Sequence, residues 1–178
     1  MNKICTTFAL VLAFLSTAFS QIIPFQQGDH VVYIGNTLAD RMQHHGWLET
    51  YTHALLPEYD LTFRNLGFSG DEIKIRQRAD NFGDPDQWLT KCKADLVACF
   101  FGYNEALKGP DALPQFSDDL AEMIESMRAQ RYNGDSAPRI IVFSPIAHED
   151  LGSPHLPDGS DNNRNLSLYT EAMRKVCE

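Results

Sequence analysis

Apolar residues follow two rhythms along this chain. Unbroken runs at 96–101 (Leu96-Val97-Ala98-Cys99-Phe100-Phe101) and 140–143 (Ile140-Ile141-Val142-Phe143) read as strands buried on both faces of a parallel sheet. The β-branched and aromatic stretch 30–34, punctuated by Gly35, predicts a first strand, and 61–65 a short second one. Elsewhere the spacing is helical. Leu38, Met42, Trp47, Leu48, Tyr51 and Leu55 predict a helix over 38–56, stopped by Pro57 and softened at Gly46. Ile73 and Ile75 with the charged Lys74, Arg76 and Arg78 predict a helical segment after the second strand, and a short helix is predicted from Pro85 to Lys93. An amphipathic helix is predicted over 116–131 and a last one over 163–176.

Strand and helix alternate four times, which predicts an α/β domain: a mainly parallel sheet with helices on both faces. Ligands of such folds sit at the carboxyl ends of the strands. The first three strands each end in a glycine-containing polar loop, Gly35-Asn36-Thr37, Gly70-Asp71 and Gly102-Tyr103-Asn104, so the three are expected to line one crevice. Locally, Asn36 and Thr37 also suit a helix N-cap, because a short side-chain oxygen satisfies an otherwise unpaired backbone N–H.

At 178 residues, with ordinary globular composition, one domain is expected. The first twenty residues stand apart from it. Lys3, the apolar stretch 8–19 and the small-x-small triplet Ala18-Phe19-Ser20 predict a signal peptide over 1–20, cleaved before Gln21 and leaving a domain over 21–178. Export to the periplasm or the exterior follows, with no membrane attachment after cleavage. The remaining chain has 14 Lys and Arg against 24 Asp and Glu, a formal charge of −10 that repels nucleic acid and anionic membrane. Cys92, Cys99 and Cys177 lie outside the signal; their odd number leaves at least one thiol free or paired between chains, and their pairing is open. No metal is expected: His44 and His45, being adjacent, point apart on a helix, and His53 lies two turns from His45. Gly67-x-x-Gly70 lacks the Gly-Lys-Ser/Thr of a phosphate loop, so nucleotide binding is not expected either.

Taken in order, the strand-end loops resemble the blocks of the SGNH (GDSL-type) hydrolase family. Gly35-Asn36-Thr37-Leu38 resembles Gly-Asp-Ser-Leu; the stretch from Asn65 to Asp71 resembles the second block, and Gly102-Tyr103-Asn104-Glu105 resembles Gly-x-Asn-Asp. Thr37 and Gly70 are separated by 33 residues, and Gly70 and Asn104 by 34. The resemblance spans roughly residues 29–176. It implies a flavodoxin-like three-layer α/β/α fold, Thr37 at the nucleophile position, the Gly70 N–H and the Asn104 side chain as oxyanion donors, and no cofactor. Asn36, Asp71, Tyr103 and His148 are the expected substrate contacts.

Two departures matter. Thr37 replaces the family's serine and Asn36 its aspartate, and no Asp-x-x-His, the block that supplies the family's base, follows the fourth strand. The expectation is therefore a chain lacking the C-terminal part of the fold, inactive alone and belonging to a longer protein with further domains. Two functions follow from the resemblance: an exported hydrolase of ester bonds, such as acyl or acetyl groups on carbohydrate, or an inactive module that binds a carbohydrate or acylated ligand.

Overall fold

Val31, Val32, Tyr33 and Ile34 run through the middle of a four-stranded parallel sheet in the computed structural model, which describes residues 25–76 and 81–178. The strands are β1 (His30–Gly35), β2 (Thr62–Asn65), β3 (Leu96–Phe100) and β4 (Arg139–Phe143), in the order β2-β1-β3-β4. Val31 pairs with Phe63 and with Leu96, and Leu96 with Arg139. The chain leaves β1 toward β2 and returns to the other side for β3. A crevice therefore opens between the carboxyl ends of β1 and β3, where loops diverge above and below the sheet.

Alternation along the strands feeds two separate cores. Val32, Ile34, Val97 and Cys99 face α3 (Pro85–Lys91), α5 (Leu113–Arg128) and α6 (Ser160–Cys177) through Leu89, Phe116, Leu120, Ile124, Leu166, Tyr169 and Met173. Val31, Tyr33, Leu96, Ala98 and Phe100 face the other way, against Ala39 and Leu38 of α1 (Thr37–Met42) and Leu48 of α2 (Trp47–Leu55). Helices thus cover both faces, and the α/β, flavodoxin-like three-layer reading holds. Ionic contact joins strands at the sheet's amino edge: buried Asp29 pairs with Arg139 at the start of β4.

Several elements differ from the periodicity. The helix expected over 38–56 is two helices, α1 and α2, because the chain turns at residues 43–46. The stripe of Trp47, Tyr51 and Leu55 on α2 faces solvent instead of the core. Residues 71–76 are not helical; Ile73 is buried, but its N–H is taken by the Glu105 carboxylate at 3.0 Å, outside any helical ladder. The expected signal peptide over 1–20, and the continuation of that segment through Arg78, lie outside the described residues. A further short helix, α4 (Tyr103–Ala106), starts directly after β3. Cys99 is buried, Cys92 half-buried and Cys177 exposed, all three as free thiols.

Candidate active site

At the end of β1 the backbone must pass close beside β3, and only glycine permits it. Gly35 has φ +132°, and a Cβ there would lie 2.2 Å from the carbonyl oxygen of Phe100. That oxygen instead accepts the N–H of Asn36 at 2.9 Å. Asn36 is buried and caps α1, its Oδ1 accepting the Leu38 N–H at 3.2 Å. The cap leaves Thr37 as the first residue of α1, exposed, its hydroxyl without a hydrogen bond to any described residue.

The second loop is drawn against α1. Asn65 donates its amide to the Ala39 carbonyl at 2.6 Å and accepts the Gly67 N–H at 2.8 Å; Gly67 lies so near α1 that a Cβ would meet the Ala39 Cβ at 2.5 Å. Phe68 donates its N–H to the Gly35 carbonyl at 2.9 Å. Ser69 donates its hydroxyl to Asp40, and this bond first, then Arg41 and Gln43 nearby, holds the Asp40 carboxyl below its usual range.

After β3, Gly102 (φ +98°) caps α4. Its N–H is taken by the buried Glu105 carboxylate at 2.9 Å, and the other oxygen of that carboxylate accepts the Ile73 N–H at 3.0 Å. Burial pushes the Glu105 carboxyl above its usual range, against the lowering effect of these N–H donors. The clamp fixes α4 so that Asn104 reaches across to the second loop, its Nδ2 lying 3.3 Å from the Asp71 carbonyl oxygen.

These elements enclose a cavity of about 580 Å³ at the carboxyl ends of β1, β3 and β4. Asn36, Thr37, Tyr103, Asn104 and His148 all line it, so five of the seven residues singled out in the sequence meet in one place. The other two do not line it. Gly70 (φ +89°) stands half-buried, one residue before the carbonyl that Asn104 contacts. Asp71, expected as a substrate contact, is turned inward instead. It is 1% exposed, with its carboxylate 3.6 Å from the guanidinium of Arg76, because a carboxylate removed from water needs a charged or hydrogen-bonding partner.

Three parts of the site were missed in the sequence. Arg41 lines the cavity; it follows Thr37 by four residues, one helical turn, which is the available signal. The wall beyond β4 is apolar, with Phe143, Pro145, Ile146 and Leu151. Asn162 and Asn163, which hold His148, lie in the first turn of α6, and nothing in their local pattern marks them. Among the described residues no group of three or more His, Cys, Asp or Glu side chains is arranged to hold a metal ion.

The model of the GDSL-like lipase/acylhydrolase family matches residues 28–178. The chain belongs to that family. No curated protein matches it in sequence. Among solved structures, it is similar to a catalytic mutant of Axe2, an acetylxylan esterase from Geobacillus stearothermophilus, with TM-score 0.63 and 15% identity over 85% of this chain and 73% of that one. TesA is similar at TM-score 0.56 and 20% identity, over 84% and 73% of the respective chains. Est24, a carbohydrate acetylesterase from Sinorhizobium meliloti, gives TM-score 0.56 and 11% identity over 84% and 79%. At these identities the likeness is one of fold.

Proposed function

We propose that this protein hydrolyses short acyl esters, acetyl groups on carbohydrate above all, in the cavity at the end of β1. The observation that carries the reading is that Thr37 and Asn104 line one cavity. Attack by the Thr37 oxygen on the ester carbonyl moves negative charge onto the carbonyl oxygen. The Asn104 amide is the donor assigned to that charge, and such a donor is worth about 3–4 kcal/mol in a site shielded from water. Collapse of the intermediate expels the alcohol, which takes up a proton, and water then releases the acid from the threonine ester. Est24 and Axe2, esterases of acylated carbohydrate by description, support the substrate class. The apolar wall of the cavity suits the acyl group of such an ester.

Among the described residues no side chain hydrogen-bonds the Thr37 hydroxyl, so its proton passes to a base that engages it only with substrate bound, in an exported protein whose signal is removed before Gln21. The same observation favours a second reading, a module that holds the acylated ligand without cleaving it. Turnover of p-nitrophenyl acetate, butyrate and octanoate by the protein as its gene encodes it separates the two. Cleavage that favours acetate and is abolished in Thr37→Ala supports the enzyme; no turnover, with acetylated xylose still bound in calorimetry, supports the module. Turnover that survives in Thr37→Ala overturns the role of Thr37.

A further inference from the structure

His148 is held more tightly than a loop histidine needs to be. Its backbone N–H donates to Asn163 Oδ1 at 2.7 Å, and its carbonyl accepts from Asn163 Nδ2 at 2.9 Å, so one amide grips the peptide on both sides. Gly159 packs close to the ring, where an added Cβ would be 2.8 Å from Cγ and 2.9 Å from Cδ2. The third contact is Asn162, whose Nδ2 lies 3.4 Å from His148 Nδ1 and 3.2 Å from the Tyr103 hydroxyl oxygen. With Nδ1 facing Asn162 and Gly159 packed near Cγ and Cδ2, Nε2 is the ring nitrogen without a hydrogen bond to any described residue, on a side chain that lines the cavity.

The orientation of the Asn162 amide decides what that nitrogen offers. Its Oδ1 is buried and has no partner, while its NH2 group meets two oxygen or nitrogen acceptors. Turning the amide over would leave two buried N–H donors unpaired in exchange for one carbonyl oxygen, so the orientation with NH2 toward His148 and Tyr103 is the less costly. An amide donor facing Nδ1 requires a bare nitrogen there, which puts the proton of the neutral ring on Nε2. By the same logic the Tyr103 oxygen accepts from Asn162, leaving its own O–H to turn toward the cavity.

We propose that Asn162 sets His148 and Tyr103 as a pair of neutral hydrogen-bond donors on the cavity wall, and that the pair holds an oxygen acceptor of the carbohydrate part of the substrate, a ring, ether or second acyl oxygen. This rests on the reading of the cavity as the site of an acylated carbohydrate. His148 binds in this account, and Asn162, Asn163 and Gly159 position it. The donors are uncharged, and Arg41 and Glu149, both on the lining, offer opposite charges, so the preferred ligand is a neutral, oxygen-rich ester.

The probe is peracetylated methyl β-xyloside, which carries acceptor oxygens and no donor. His148→Phe should raise KM for this xyloside about three- to tenfold, the range of one or two neutral hydrogen bonds, with kcat moving by less than twofold. Asn162→Leu should give part of that rise. A fall of a hundredfold or more in kcat in His148→Phe would make the imidazole a proton carrier of the reaction and overturn the proposal. Nitrogen-15 NMR of the histidines supplies a readout that folding alone would not move. In Thr37→Ala protein, His148 should show Nε2 protonated and Nδ1 bare, with the Nε2–H signal shifting as the xyloside is added and failing to shift in Asn162→Leu. A proton on Nδ1, or no response to the xyloside, overturns the assignment. If the unmutated protein cleaves no ester while the NMR response appears, the hydrolase reading fails and the donor pair stands.

Discussion

Asn104 Nδ2 lies 3.3 Å from the backbone oxygen of Asp71, a residue 33 positions earlier in the chain, and this contact joins two strand-end loops into one side of a cavity. A side chain already committed to one carbonyl has a second amide hydrogen left, and the cavity it lines is where that hydrogen is useful. Asn104→Ala should therefore lower kcat for p-nitrophenyl acetate by about 10²–10³-fold with little change in KM, as the loss of an oxyanion donor does. Steady-state kinetics on the purified variant checks this. Asn104→Asp, which keeps the size and removes the donor, should be no better than Ala.

The methyl group of Thr37 is the part of the side chain that a serine lacks. It restricts χ1 and crowds the approach to a carbonyl carbon. Thr37→Ser should raise kcat/KM for short acyl esters, while Thr37→Ala should remove turnover. An equal or lower rate in Thr37→Ser would mean that the threonine is selected for a purpose other than attack.

Gly35 combines a left-handed φ of +132° with a carbonyl oxygen 2.2 Å from where a Cβ would lie. A side chain there must push β1 away from β3 and break the Asn36 N–H to Phe100 bond. Gly35→Ala should cost about 3 kcal/mol or more, beyond the 1–2 kcal/mol ordinarily attached to a left-handed residue with a Cβ. Urea unfolding of the variant should show a midpoint lowered accordingly.

Glu105 contributes a pH dependence to stability whose sign follows from its raised pKa, caused chiefly by burial. The folded protein holds the proton more tightly than the unfolded chain does. The contribution is complete below the unfolded carboxylate range and is lost as pH rises through the folded pKa. Urea midpoints of the unmutated protein and of Glu105→Gln, compared from pH 4 to pH 8, should show the former losing ground to the latter as pH rises, on top of a constant cost to Gln for replacing one acceptor oxygen by a donor opposite Gly102 or Ile73.

The sheet was legible because the unbroken runs at 96–101 and 140–143 have no polar face to confuse, and β3 and β4 fall on them within a residue. The first block was legible for the same reason, since Gly35 ends an apolar strand at a place where φ and packing both demand glycine. Errors arose where apolar spacing does not report burial. Trp47, Tyr51 and Leu55 repeat at helical intervals on a helix and still face solvent, and Ile73 is buried without a helix because a carboxylate from another loop takes its N–H. Asp71 looked like part of the ligand face because it follows Gly70, but its partner Arg76 lies five residues on, on the inner side. The support of His148 by Asn162, Asn163 and Gly159 was not readable, because it joins a loop to a helix through side-chain amides that no periodicity marks.

The central claim is that Thr37 is the residue that takes the acyl group. It is tested most directly by treating the protein, as its gene encodes it, with diethyl p-nitrophenyl phosphate and mapping the modified peptide by mass spectrometry. The account predicts one diethylphosphoryl group on Thr37, released with one equivalent of p-nitrophenol and absent from Thr37→Ala. A label on another residue lining the cavity, Ser144 for instance, or no label in a protein that cleaves p-nitrophenyl acetate, would contradict it.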